Sequence, residues 1–440
     1  EGGSSVEFET GVRVDPQGLL VRLTREEQQS RLQSLGLKAR KADINTDMAK
    51  ESPLRLVSLT RLEKEVAKRI ADGKPVLETM KQMAGISKIQ YIFVYPEENE
   101  VVIGGPAEGW KYNESGQPVG ATSGRPTLQL DDFVTVLRTF SQGGEGIYNC
   151  LIVPREEGLK NIKEFAESSQ ARGAMNASSV GSWVAQLQKK LGLQDIQVNG
   201  IPVDSRVARV IVEADYRMKL IGIGRLDGGS NIPDYFELMK QTGQTSSQSI
   251  DALRWWMSPK VDAVLHSPER NVFEIQGASV LCQSENELIT DDGKRVHTGK
   301  SEATNRLFAE NFTKNYADLA AQDLVFADLQ NVFDLSLVAA IVEHERLADR
   351  AGWNLGSFAR TGEYRPASYA PAETVMSVVN HRVFNGKDIV VQVAGGVRGD
   401  FISMLRDSSI VKEVSRLANL ASRGQAGELP EGRWWWDAAR

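Results

Sequence analysis

The densest group of side chains able to do chemistry lies in the stretch SRVARVIVEADYRMKLIG, which begins at Ser205. Arg209, Glu213, Asp215, Tyr216 and Arg217 offer two guanidiniums, two carboxylates and a phenol, enough to hold a charged or hydroxylated ligand. Their spacing has a plainer explanation. Arg209 with Glu213, Glu213 with Arg217, and Asp215 with Lys219 are each four residues apart, so a solvated ion-pair ladder on one helix is expected. A second candidate is Glu108 beside Trp110 in GPAEGW, an acid next to an aromatic platform. Glycoside cleavage needs two convergent carboxylates, and the sequence identifies no partner for Glu108. The tryptophans Trp255 and Trp256, and the run Trp434, Trp435, Trp436 close to the end of the chain, are candidates for interaction, because indole rings dominate binding hot spots. Folding back onto the chain's own core is the competing account of the tail.

Other chemistries fail on spacing. HTGKSEA, from His297, follows a strand pattern and precedes a helical one, but Gly293 stands six positions before Gly299, where a phosphate loop requires five. HERLA at His344 begins like a zinc-protease helix, yet Ala348 occupies the place of the second histidine. No GxSxG elbow occurs. A Cys282–His297 pair rests on proximity in sequence alone, and a buried thiol is the expected role of Cys282. Cys150 and Cys282, with no CxxC, are expected to be two separate buried thiols. No catalytic residue is assigned, and no cofactor or metal is expected.

These residues need elements to hold them. Val207, Val210, Ile211, Ala214, Met218 and Ile221 fall on one helical face, which predicts a core helix from Asp204 or Ser205. SLTRLEKEVAKRIADGKP predicts another, ended by Gly73 and Pro75. Leu324 to Val342 is apolar but contains Asp328, Gln330, Asn331 and Asp334. A bilayer would penalise these heavily, so the segment is expected to be a buried helix near 323–349 and the chain not to span a membrane. YIFVYPEENEVVIGG and WKYNESGQPVG read as hairpins. So does GVRVDPQGLLVRL, followed by a helix from Thr24 to Gly36. Asp131 or Asp132 should cap a short helix, Ser301 another, and Asn385-Gly386 should turn a hairpin. SSIVKEVSRLANLASRG reads as a last helix.

The fold class expected is α+β, with mixed antiparallel sheets and helices in two or three packed units. The segments are 1–52 (hairpin, helix and linker), 53–170 (a first α+β unit), 180–350 (a second with long helices) and 370–440 (hairpin, helix and Trp-rich tail). A chain of 440 residues exceeds one ordinary core. The net charge of -6 and the lack of a dense Lys/Arg tract exclude nucleic acid as the main partner. The polar start EGGSSVEFET, with Glu1 first, fits an end left by a removed secretory signal, and a secreted or periplasmic location follows.

VSLTRLE, YIFVYPEENEVVIGGPAEGW, TSGRPTLQLDD, SRVARVIVEADYRMKLIGIG and DLQNVFDLSLVAAIV together resemble a family of predicted secreted planctomycete proteins known only as a domain of unknown function. The likeness runs from about residue 54 to the hairpin at 374–394, with VEADYRMKLIGIG its most specific element. It implies export and supplies no catalytic residues. The expected function is an exported, non-enzymatic protein that associates with itself or with envelope components. The alternative is a periplasmic or extracellular hydrolase or glycan-binding protein built on Glu108, Trp110 and the polar helix.

Overall fold

In the computed structural model the described residues are 46–170, 180–243, 250–384 and 387–438, together with three short N-terminal strands, Val6–Glu7, Val12–Val14 and Leu20–Arg22. Those strands pair antiparallel in sequence order. The helix expected over 24–36 and the Asn385-Gly386 turn lie outside the described residues. The strands on either side of that turn do pair, with Phe384 opposite Lys387.

The architecture is α+β, as expected. A seven-stranded sheet has the order Val411–Glu413, Ala263–His266, Val272–Gln276, Tyr91–Tyr95, Glu100–Ala107, Ser52–Ser58, Trp435–Asp437. The larger sheet runs Arg295–Lys300, Ser279–Ile289, Asp251–Lys260, Lys387–Gly399, Tyr148–Pro154, Leu193–Asn199, Thr374–Met376, with Val379–Phe384 also paired to Lys387–Gly399. Most pairs are antiparallel, and two are parallel. The helix Leu59–Ala71 starts where Ser58 accepts the Arg61 N–H at 3.2 Å and buries Leu59, Leu62 and Val66.

Three helices frame the candidate site: α1 (Leu130–Phe140), α2 (Arg206–Gly222) and α3 (Leu324–His344). The α3 segment is long and apolar enough to cross a membrane, and it lies wholly inside the fold. Asp334 on α3 is buried and accepts the Ile89 N–H at 3.2 Å. Gly222, at the end of α2, lies under the Trp255 ring, where a Cβ would come within 2.1 Å of an indole carbon.

Three local expectations are corrected. Asp131 and Asp132 do not cap α1, whose N-cap is Gln129. Asp131 instead accepts the Tyr364 hydroxyl at 2.6 Å, and Asp132 turns inward to an arginine. Ser301 does not cap its helix either. Glu302 stands at the N-cap, and the Ser301 hydroxyl meets that of Ser284 at 2.7 Å. The expected last helix becomes the strand Val411–Glu413 and a 3-10 helix, Ser415–Gly424. The cause is tertiary: the edge at Ala263–His266 offers backbone partners in parallel register, and the Val414 N–H continues to the His266 carbonyl at 2.8 Å.

The tryptophan tail folds back on its own chain. Trp435 pairs with Val57, Trp436 with Leu56, and Asp437 with Arg55. Alternation along the strand sends Trp435 into the main core and Trp436 into a second cluster with Leu54, Phe93 and Leu417. Arg55, fully buried, donates to Asp437 at 2.8 Å, to the Met48 carbonyl at 2.8 Å and to the Ala84 carbonyl at 2.9 Å. Its guanidinium lies 4.9 Å from the Trp435 ring, and that of Arg433 lies 3.8 Å from it.

Truncating this anchor by Trp435→Ala should cost about 3–5 kcal/mol, read as a lower urea midpoint that does not depend on protein concentration. A second expectation concerns pH. Burial raises the Asp334 carboxyl from 3.8 to about 6, so the stability linked to its protonated form is complete below about 4 and lost as pH rises through about 6. Wild type should therefore gain up to about 3 kcal/mol from this group between pH 7 and pH 4. Asp334→Asn, which keeps an acceptor for Ile89, should lack that part of the pH slope in parallel urea titrations.

Candidate functional site

Helix α2 enters with Ser205 accepting the Ala208 N–H at 3.1 Å. Its expected apolar face is buried in full. The polar residues, expected in solvent, are buried too: Arg209 is 5% exposed, Glu213 8%, Tyr216 1% and Asp215 0%. The solvated ladder is corrected on this point, because helices and strands distant in sequence cover the remaining faces of α2. Two of the three expected pairs form, Arg217 to Glu213 at 3.1 Å and Lys219 to Asp215 at 2.6 Å.

The structure also divides the cluster. Asp215 and Lys219 face the sheet, where the Lys219 ammonium donates to the Ile152 carbonyl at 3.2 Å. Burial raises the Asp215 carboxyl to about 6 and lowers Lys219, each losing the water that would favour its charged form. Arg206, Arg209, Glu213, Tyr216 and Arg217 occupy the opposite stripe. There Arg206 donates to Asp132 of α1, and at 2.6 Å to Asp328 of α3. Gln117, in the loop of the Trp110–Tyr112 and Pro118–Gly120 hairpin, donates to the other Asp328 oxygen at 2.9 Å. Arg217 reaches Asp323 as well as Glu213. Asp132 is raised to about 6 by burial, although Arg206 pulls it down.

Arg209 stands apart. Its Nε and Nη1 have no hydrogen-bond partner among the described residues, and its guanidinium lies 5.0 Å from the Tyr369 ring. Burial, then repulsion from Arg206, lowers its pKa. Arg209 separates two cavities. One, about 300 Å³, is lined by Asn113, Gln117, Glu213, Arg217, Asp323 and Asp328. The other, about 160 Å³, is lined on its apolar side by Ile196, Val198, Val203, Val212, Tyr369 and Pro371. The loop carrying Tyr369 is tied down by its N–H, which donates to the Asp204 carbonyl at 2.8 Å. Both nitrogens are closed to solvent, so what the arrangement offers an acceptor on either side is the positive charge of the guanidinium.

The other candidates lie elsewhere. Glu108 accepts the N–H groups of Thr122 at 2.7 Å and Ser123 at 3.1 Å. Burial raises its pKa, and these hydrogen bonds outweigh that and lower it. Its carboxylate thus holds a turn. Trp110 is half-buried against the core, and neither residue lines the cavities beside α2. Trp255 is fully buried, 4.2 Å from Phe308 between ring centres, whereas Trp256 is half-buried under Arg254. Cys150 and Cys282 are free, buried thiols raised by desolvation. One group among the described residues has metal-ligand spacing, Glu285, Glu287 and His297. Glu287 is already paired with Arg295 and, at 3.5 Å, Arg254, so an added cation would face two guanidiniums.

A domain of unknown function, described as Protein of unknown function (DUF1598), is found at residues 150–235. That span contains all of α2 and both of its polar stripes. No curated protein and no solved structure matches the chain. Gln117, Asp323 and Asp328, which line the larger cavity, and Asp132, which meets Arg206, all come from outside α2, and nothing in their sequence positions joins them to Arg209. The one usable signal was the presence of Asp328 and Asp334 in an otherwise apolar helix.

Arg206→Met strands two buried carboxylates and should cost about 3–5 kcal/mol. Arg209→Met removes a charge with no carboxylate hydrogen-bonded to it. It should change stability by less than about 1 kcal/mol or raise it. Chemical denaturation of the two variants checks the contrast.

Proposed function

We propose that the chain is an exported, non-catalytic binding protein whose ligand site is the crevice at Arg209. One observation carries the reading: a guanidinium 5% exposed, with two nitrogens unpartnered among the described residues, lies between two cavities. A buried charge is normally paired, and this supports a bound anion as the compensating charge for the guanidinium. The acids of the larger cavity support binding over catalysis, since Asp328, Glu213 and Asp323 are all engaged by arginines. Export rests on the resemblance to secreted planctomycete proteins.

This reading replaces self-association through the tryptophan tail, because Trp434, Trp435 and Trp436 are 5%, 3% and 7% exposed within their own chain. The outer strand Arg295–Lys300 bears an exposed Val296 next to Leu288, but Arg295, His297 and Lys300 along it disfavour pairing with a second copy. The reading also departs from a glycan site at Glu108 and Trp110, since the Glu108 carboxylate is engaged by two backbone amides.

A thermal-shift screen of carboxylates, phosphates, sugars and amines on the full chain tests it, with Arg209→Met in parallel. At least one anionic compound should raise the melting temperature of wild type and leave the variant unmoved. No stabilising compound, or equal stabilisation of both proteins, overturns the proposal. Recovery of the native protein from the cytoplasmic fraction of source cells overturns the export component.

A further inference from the structure

A further cavity, of about 540 Å³, shares Ser205 with the smaller cavity at Arg209 but is not lined by Arg209 itself. Its size is within the range of about 300–1,000 Å³ usual for small-molecule sites. One wall is α1, at Thr135, Arg138 and Thr139, and the others are the turn at Gly144–Glu145, the loop 200–205, Arg360 and the segment 366–368. Two sets of contacts place its ends. At the start of α1, Asp131 accepts the Ala367 N–H at 3.2 Å, and the adjoining Ser368 hydroxyl donates to Asp204. Just beyond the end of α1, a Cβ on Gly143 would lie 3.3 Å from Nη1 of Arg360. The cavity therefore runs alongside α1, with Asp204 towards one end and Arg360 towards the other. From Asp131 to Phe140 the helix rises about 13 Å.

Charge is divided along the same line. Arg138 and Arg360 stand with Glu145 at one end, two guanidiniums against one carboxylate, and Asp204 is the charged lining residue of the other. Arg138 is held in place by donating Nε and Nη2 to the carbonyls of Ser357, Phe358, Ala359 and Tyr364. Arg360, exposed, makes no hydrogen bond or ion pair with the described residues, and Asp204 uses one carboxylate oxygen for Ser368 and leaves the other open. Between the ends the lining includes Ile201, Pro202, Pro366 and Ala367. No aromatic side chain lines the cavity, so a sugar or a nucleobase finds no stacking platform. A polyanion is opposed by Glu145 and Asp204, and a polyamine by the two guanidiniums.

We propose that this cavity binds a short extended peptide with free termini, its carboxylate on Arg360 and its ammonium on Asp204. An extended chain advances about 3.3 Å per residue, so about three or four residues, with the reach of the two side chains, join the ends. The site is separate from the crevice at Arg209 and does not rest on the function proposed there.

Isothermal titration of the full chain at low ionic strength with trialanine, N-acetyl-trialanine, trialanine amide and alanine tests the proposal. Trialanine should bind, and more tightly than alanine, which is too short to meet both ends. Acetylation and amidation should each weaken it roughly two- to five-fold, the worth of one solvent-exposed ion pair. Arg360→Gln should weaken trialanine by a similar factor and leave the affinity of the amide unchanged. Asp204→Asn, which keeps an acceptor for Ser368, should weaken trialanine and leave the affinity of the acetylated form unchanged. No binding of trialanine, or binding no tighter than that of both blocked forms, overturns the peptide class. Trialanine binding that is unaffected by Arg360→Gln and Asp204→Asn, or that is lost in Arg209→Met alone, overturns the assigned cavity. The anion screen at Arg209 is scored on a different residue and stands or fails without this result.

Discussion

Arg206 fixes the geometry of the whole region. Its guanidinium, 4% exposed, is met by Asp132 from α1 and Asp328 from α3, so three helices converge on one buried cation. Burying such a cation costs least with carboxylates in contact, and Asp132 and Asp328 hold α1 and α3 against α2. Burial, with a smaller contribution from repulsion by Asp328 on the same guanidinium, holds Asp132 above the ordinary carboxylate range. Once Arg206 holds those two acids and Arg217 holds Glu213 and Asp323, none is hydrogen-bonded to Arg209. The crevice is thus a consequence of how the neighbouring charges are shared out.

Helix α2 is polar on two stripes and buried on nearly all sides. The stripe facing the sheet is internally neutralised, with Asp215 and Lys219 forming their own pair and Lys219 reaching the Ile152 carbonyl. The other stripe draws its partners from residues far along the chain: Asp132 is 74 positions from Arg206 and Asp328 is 122. A helix side covered by such partners has the same composition as one covered by water. Spacing along α2 therefore predicts the pairs within the helix and is blind to what packs over them.

The tail shows the same limit from the other direction. Three adjacent tryptophans have a strong need for burial, but the need does not specify whose surface meets it. Strand alternation divides Trp435 and Trp436 between two clusters, and the decision between own chain and neighbour is made by the free edge of Ser52–Ser58 and by Arg55 beneath it. The last segment of the chain, read as a helix, became a strand and a 3-10 helix for a comparable reason, an open sheet edge with unpaired backbone groups.

By itself the sequence determined the α+β class, the buried α3, the apolar face of α2, the hairpins at 91–107 and 110–120 and two of the three ion pairs on α2, because each depends on periodicity or turn chemistry within a few residues. It also flagged the α2 cluster as the place where chemistry is densest. Tertiary structure alone decided that this cluster is largely buried, that Glu108 holds a turn, that the tryptophans close their own sheet, and that Arg209 has no hydrogen-bonded carboxylate among the described residues. Each of these depends on which groups meet across more than ten residues of chain, and the free energy of a buried charge is set by those meetings rather than by its neighbours in sequence.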